Sequence, residues 1–196
     1  MDYEDIAEIC GEARRLGIKS HLDGARVFNA SVALGIDVKK ITGHFDSVSF
    51  CLSKGLGAPV GSVLCGSKDF ISRALRNRKM LGGGMRQAGI LAAAGIWALE
   101  HNVKRLKDDH QRAARLARAL SELDGIDIDL SRVQTNIIIF RVARKGMDAL
   151  SLFKALNEKG VLMLPVSRDA VRAVTHLDVD DKGIDYAIKV FQKILS

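Results

Sequence analysis

Asp23 and Lys54 have the residue types and positions in this sequence that point most directly to chemistry. Each follows a segment with the pattern of a strand, predicted over 18–22 for the first and over 46–52 for the second. Ligands of α/β proteins bind beyond the carboxyl ends of strands, where such side chains point. Two plainer roles stay open: Asp23 as N-cap of a following helix, since Asp is a favoured cap, and Lys54 as an exposed lysine.

An acid and a lysine at adjacent strand ends fit the chemistry of pyridoxal phosphate (PLP). Enzymes that use PLP need a lysine for covalent attachment and an acid that keeps the pyridine nitrogen protonated, so that the ring can accept electrons from the substrate. Gly55 follows Lys54 directly and would let a planar ligand approach the backbone. The pair therefore predicts a PLP site.

Four further cations are candidates for binding anions. Arg26 and Arg172 could each hold a carboxylate through a two-pronged hydrogen bond. For Arg172, which lies in a predicted apolar strand, the alternative is an edge-strand side chain that faces water. Lys79 and Arg86 flank the triple glycine Gly82–Gly84 just before a predicted helix, which is a ready anion site, although a plain interhelical loop is the alternative.

The spacing of apolar residues predicts two domains, 1–124 and 125–196, with an α/β pattern in the first and a small α+β unit in the second. The first segment has fewer strands than a parallel sheet with two covered faces normally has. We therefore expect that roughly the first half of the parent protein is absent from this chain. Helices are predicted at 3–16, 26–34, 67–79, 86–99, 100–122, 147–159 and 181–194, and strands at 18–22, 46–52, 61–65, 135–142, 161–164 and 171–175.

Composition excludes several classes of function. The 196 residues carry a net charge of +7, but the cations are interspersed with acids and only 5% of residues are aromatic, which argues against nucleic-acid binding. An apolar run of about 20 residues, as a membrane span requires, is missing. Three cysteines without a Cys-x-x-Cys pair are typical of free thiols, so a cytoplasmic location is expected, with a mitochondrial one as the alternative. The histidines lack metal-ligand spacing, so no metal is expected.

Four segments of the chain resemble the low-specificity L-threonine aldolases, in that family's order. They are His21–Arg26, Ser53–Gly57, Arg78–Gly89 and Val171–His176. The resemblance spans essentially the whole chain, and the combination is specific although each motif alone is not. It implies the C-terminal portion of a fold type I, aspartate-aminotransferase-like large domain, followed by a small α+β C-terminal domain.

The resemblance also implies a role for each candidate in holding the cofactor. Lys54 would be the catalytic lysine that bonds to PLP, and Asp23 the partner of the pyridine nitrogen. Arg26 would be a further residue that binds the cofactor. Lys79 and Arg86 match cations that approach the active site across a dimer interface.

The implied reaction is cleavage of L-threonine or L-allo-threonine to glycine and acetaldehyde, with Arg26 and Arg172 on the substrate carboxylate. The implied assembly is a homo-oligomer, dimer or tetramer. The family's phosphate-binding loop and stacking ring have no counterpart before Asp23, so we expect this chain alone to bind PLP weakly, if at all, and to show little aldolase activity. Alternatives are another fold type I PLP lyase and a non-catalytic, truncated subunit that acts by oligomerisation.

Overall fold

The structure, a computed structural model, describes residues 2–196, which form two compact units. The first ends at Lys104 and the second begins at Arg105. The helix that follows Arg105 packs within the second unit, so this division comes before the predicted domain boundary near residue 124. The domains 1–124 and 125–196 stay a prediction. No helix within residues 2–196 is both long and apolar enough to cross a membrane.

The first unit combines five helices with a three-stranded sheet. The mixed α/β class predicted from the sequence is confirmed. In chain order its elements are α1 (Tyr3–Arg15), β1 (His21–Asp23), α2 (Val27–Leu34), α3 (Val38–Thr42), β2 (Ser47–Cys51), β3 (Ser62–Gly66), α4 (Lys68–Met80) and α5 (Gly89–His101).

Strand β2 lies in the middle of this sheet. It runs parallel to β1 and antiparallel to β3. Successive side chains of a strand point to opposite faces, and here the faces differ in polarity. Val48 and Phe50 lie on the apolar face, where Phe28 of α2 meets Phe50 edge to face at 5.3 Å between ring centroids. The opposite face, here named the polar face, carries mainly polar side chains on β1 and β2, among them His21, Asp23 and Ser49.

The start of β2 is fixed by a charged contact. The carboxylate of Asp46 accepts hydrogen bonds from the Lys19 ammonium at 2.8 Å and from the Ser20 backbone N–H at 3.0 Å. These bonds lower the pKa of Asp46 from its ordinary 3.8 to about 2, and the bond from Lys19 contributes most. The segment that leads into β1 is thereby tied to the segment that leads into β2.

The second unit is a four-stranded antiparallel sheet with helices packed on it, close to the α+β pattern predicted for the C-terminal part. The strand order is β4-β5-β7-β6, and side chains such as Phe140 and Phe191 form the core between sheet and helices. Its elements are α6 (Leu106–Ser121), β4 (Ile126–Asp127), β5 (Ile137–Val142), α7 (Ala149–Asn157), β6 (Leu164–Pro165), β7 (Ala170–Val174) and α8 (Asp181–Leu195).

A buried polar network joins the sheet of the second unit to α6. Asp109 is fully buried and receives two hydrogen bonds from the guanidinium of Arg105. The hydroxyl of Thr175, just after β7, donates to the Asp109 carbonyl at 2.7 Å. Asn136, just before β5, donates to the Thr175 carbonyl at 2.9 Å. A buried charge needs such partners, and the network fixes the end of β7 against both α6 and β5.

Candidate active site

Asp23 is the last residue of β1 and its side chain is exposed on the polar face of the sheet. The Ala25 N–H donates to its carboxylate at 3.3 Å, and the Gly24 N–H donates to the Ser49 carbonyl at 2.8 Å, so β1 stays bonded to β2 up to this point. Helix α2 begins later, with Arg26 in the N-cap position and no side-chain cap. Asp23 is therefore not the N-cap of α2, and its carboxylate is available to a ligand.

Gly24 lies in a tightly packed place where the chain leaves β1. A Cβ atom on this residue would lie 3.0 Å from the carbonyl oxygen of Ser49 and 3.1 Å from the Cβ of Val27. Both neighbours are tightly placed, one by the strand and one by the start of α2. The glycine after Asp23 thus allows the close approach that holds the aspartate at the sheet edge.

Lys54 lies in the loop that follows β2, here named the lysine loop (Leu52–Ala58). Backbone hydrogen bonds close this loop on itself, from Gly57 N–H to the Lys54 carbonyl at 2.9 Å and from Ala58 N–H to the Leu52 carbonyl at 3.0 Å. The lysine side chain is exposed. Because β1 and β2 are parallel neighbours, their carboxyl ends share one edge of the sheet. Asp23 and Lys54 both lie at that edge.

Two residues that hold the lysine loop are not predicted by any sequence pattern. The side-chain amide of Asn102 is buried and donates to the Leu56 carbonyl at 2.7 Å. Gly95 of α5 allows a close contact as well, since a Cβ there would lie 2.9 Å from a methyl group of Leu52. In the sequence Asn102 lies near the start of the helix predicted over 100–122, and nothing local reveals its distant partner.

His21 lies two residues before Asp23, on the same face of β1. Its Nδ1 is 2.8 Å from the Ser47 hydroxyl and its Nε2 is 3.4 Å from the Ser49 hydroxyl. Both serines belong to β2, and Ser49 is the register partner of Asp23.

The remaining predicted cations of the first unit lie on helix ends and loops. Arg26 is half-buried at the start of α2. Lys79 is exposed in the last turn of α4, and Arg86 is exposed in the loop before α5. Helix α5 begins at Gly89, later than the predicted start at 86, so Arg86 precedes the helix rather than opening it.

Arg172 belongs to the second unit, where it lies half-buried on β7 between Ile139 of β5 and Leu164 of β6. β7 is an interior strand, so the edge-strand alternative is wrong. A cavity of about 560 Å³ in this unit is lined partly by Arg132 and Arg141 and contains none of the predicted site residues.

The chemistry of these groups fits PLP. An exposed amine and an exposed carboxylate lie at one sheet edge, and a half-buried guanidinium follows the carboxylate by three residues. Lys54 would hold the aldehyde carbon, Asp23 the pyridine nitrogen, and Arg26 a nearby anionic group. Within residues 2–196 the structure shows no group of His, Cys, Asp and Glu that could hold a metal ion.

Comparison with known proteins gives consistent matches. The Beta-eliminating lyase family matches residues 1–144. The chain is 44% identical over 193 residues to low-specificity L-threonine aldolase 1 of Arabidopsis thaliana, covering 98% of this chain and 53% of that protein. It is 49% identical over 179 residues to the low specificity L-threonine aldolase of Escherichia coli, covering 91% of this chain and 52% of that protein. The chain thus spans about half the length of the curated relatives it matches.

The fold is also that of solved PLP-enzyme structures. A threonine aldolase of Leishmania major matches with a TM-score of 0.78 at 17% identity, over 99% of this chain and 57% of that one. A PLP-dependent aminotransferase of Streptococcus suis matches with a TM-score of 0.72 at 17% identity, over 100% and 53%. With the family match covering well over half of the residues, this chain belongs to the beta-eliminating lyase family.

Proposed function

We propose that this chain supplies the lysine-bearing part of a PLP-dependent threonine aldolase that cleaves L-threonine or L-allo-threonine to glycine and acetaldehyde. The observation that carries the proposal is the parallel pairing of β1 and β2, which brings Asp23 and Lys54 to one edge of the sheet. Curated relatives with 44% and 49% identity are named as low-specificity L-threonine aldolases, which supports the choice of reaction.

In this proposal each residue has a separate task. Bound PLP stores the electron pair that the broken Cα–Cβ bond of the substrate leaves behind. Lys54 attaches the cofactor and takes it back after the product leaves. The Asp23 carboxylate holds a proton at the pyridine nitrogen. Arg26 binds and orients the substrate carboxylate by paired hydrogen bonds. For Arg172, which belongs to the second unit, a part in substrate binding stays a prediction.

We further propose that the chain works as a homo-oligomer in the cytoplasm. Helix α5 is apolar over most of its length, yet Ile90, Ile96 and Trp97 are exposed. A helix that is hydrophobic all round is normally covered by protein. Lys79, in the last turn of α4, and Arg86, in the loop before α5, are both exposed. In an oligomer these two cations would approach the active site of a neighbouring subunit. Sedimentation equilibrium of the chain tests the assembly directly.

Covalent labelling at Lys54 tests the cofactor site. The purified chain is incubated with PLP and reduced with borohydride, which makes a lysine–PLP bond permanent. A labelled Lys54 blocks trypsin, so the expected product is the peptide 41–68 carrying the cofactor. Lys54→Ala should abolish this label, whereas Lys39→Ala, an exposed lysine of α3, should leave it unchanged. Labelling spread evenly over exposed lysines would contradict the proposal.

The products formed from L-threonine separate the candidate reactions. Acetaldehyde and glycine are expected from the aldolase, whereas ammonia and a keto acid would indicate a β-eliminating lyase. If a folded sample forms no bond to PLP but associates with a full-length aldolase of this family, the non-catalytic subunit is the better account.

A further inference from the structure

The polar face of the first unit's sheet carries a histidine that the proposed reaction does not use. Both ring nitrogens of His21 lie at hydrogen-bonding distance from hydroxyl groups on β2, Nδ1 from Ser47 at 2.8 Å and Nε2 from Ser49 at 3.4 Å. A hydroxyl can donate or accept, so both nitrogens can be paired in either tautomer, with the contact to Ser47 short and the contact to Ser49 long. The imidazole therefore bridges β1 and β2 on the face that bears Asp23.

The bridge ends beside Asp23. Ser49 is the register partner of Asp23, and its carbonyl accepts the Gly24 N–H at 2.8 Å. The carboxylate itself is exposed, and the bond it accepts from Ala25 N–H is long, at 3.3 Å. The direction in which the carboxylate points thus depends on how firmly the last residues of β1 are held against β2.

We propose that His21 is a positioning residue for Asp23: by clamping β1 to Ser47 and Ser49, it holds the carboxylate where the pyridine nitrogen of PLP binds. This inference rests on the proposed cofactor site. In this role His21 does not contact the reacting atoms. Its replacement should weaken only the interaction between the Asp23 carboxylate and the pyridine nitrogen.

A pair of cofactors separates this role from a purely structural one. PLP has the ring nitrogen that Asp23 would bind, whereas its deaza analogue has a C–H group in that place and is otherwise the same. For His21→Ala we expect the dissociation constant of PLP to rise about tenfold, the value of one well-placed hydrogen bond to a charged group, with that of the deaza analogue unchanged. Asp23→Asn should show the same selective loss.

The double variant His21→Ala/Asp23→Asn should bind PLP no worse than Asp23→Asn alone, because residues that act through one contact are not additive. Ser49→Ala, a smaller change that leaves β1 intact, should show a weaker effect in the same direction. His44→Ala, whose ring contacts Tyr3 of α1 instead, should leave both dissociation constants unchanged.

Equal losses for PLP and the deaza analogue in both His21→Ala and Ser49→Ala would overturn the positioning role, since these residues would then only support the fold. Additive effects in the double variant would overturn it too. If the unsubstituted chain, folded by circular dichroism, takes up neither cofactor, this chain does not form the cofactor site by itself, and the role of His21 in it is refuted.

Discussion

Replacing Asn102 by alanine should loosen the lysine loop without unfolding the unit that carries it. The Asn102 amide is 4% exposed and donates to the carbonyl of Leu56, a residue that is 2% exposed. This bond ties the lysine loop to the C-cap residue of α5. The variant removes the donor and leaves a buried acceptor without a partner.

The size of the effect follows from that buried acceptor. An unsatisfied buried polar group costs about 1–3 kcal/mol, which corresponds to a change of about 5- to 150-fold in an opening equilibrium. The amides of Gly57 and Ala58 report this opening, because they donate to the carbonyls of Lys54 and Leu52 inside the loop. Their protection against hydrogen exchange should fall by that factor.

Amide hydrogen exchange followed by NMR checks the prediction residue by residue. The amides that join β2 and β3 should keep their protection in Asn102→Ala. Asn102→Asp, nearly the same in shape but lacking the donor, should act in the same direction. Asn157→Ala, an exposed asparagine at the end of α7, should leave the loop unchanged. Unchanged exchange at Gly57 and Ala58, or equal loss throughout the first unit, would refute the reasoning.

Two further perturbations address the strands that carry the site. Gly24→Ala places a Cβ 3.0 Å from the Ser49 carbonyl oxygen and should lower the free energy of unfolding, measured by thermal unfolding, by about 1–3 kcal/mol. Gly11→Ala in α1, where a Cβ meets open space, should be neutral or stabilising in the same assay. Because the pKa of Asp46 is lowered to about 2, its bonds stabilise the folded chain above the ordinary value of 3.8 and are lost as pH falls towards 2. Denaturation in urea between pH 5 and 2 should therefore show a weaker pH dependence in Asp46→Asn, and carboxyl ¹³C shifts of the unsubstituted chain should place the titration of Asp46 near the lower value.

Local sequence patterns predicted the elements that carry the site because their physical causes are local. The alternation around Val48 and Phe50 marks β2, and Gly35 ends α2 in the left-handed conformation that glycine favours. The patterns failed for short elements. Helix α3, Val38–Thr42, is five residues long and shows less than two turns of apolar spacing, and β4 has only two residues.

The candidate site was predictable only where chemistry and strand ends coincide. Asp23 and Lys54 stand out because each follows a recognisable strand, and the structure confirms that these strands are parallel neighbours. Asn102 and Gly95 could not be found in this way. Asn102 acts on a carbonyl 46 residues away, and Gly95 matters because of a contact with Leu52. Such contacts are fixed by packing, which no spacing pattern encodes.

Asn102 and Gly95 bear on how Lys54 would serve as the proposed cofactor anchor. Lysine after a strand is common, and an exposed ammonium has no fixed direction of its own. Here the lysine loop is closed by its own backbone bonds, packed through Leu52 against Gly95 and bonded through Leu56 to Asn102. Covalent attachment needs the amine at one defined place relative to the acid. The residues that meet this need carry no chemistry themselves, so substitutions at Gly95 and Asn102 should affect cofactor binding as directly as changes beside Lys54.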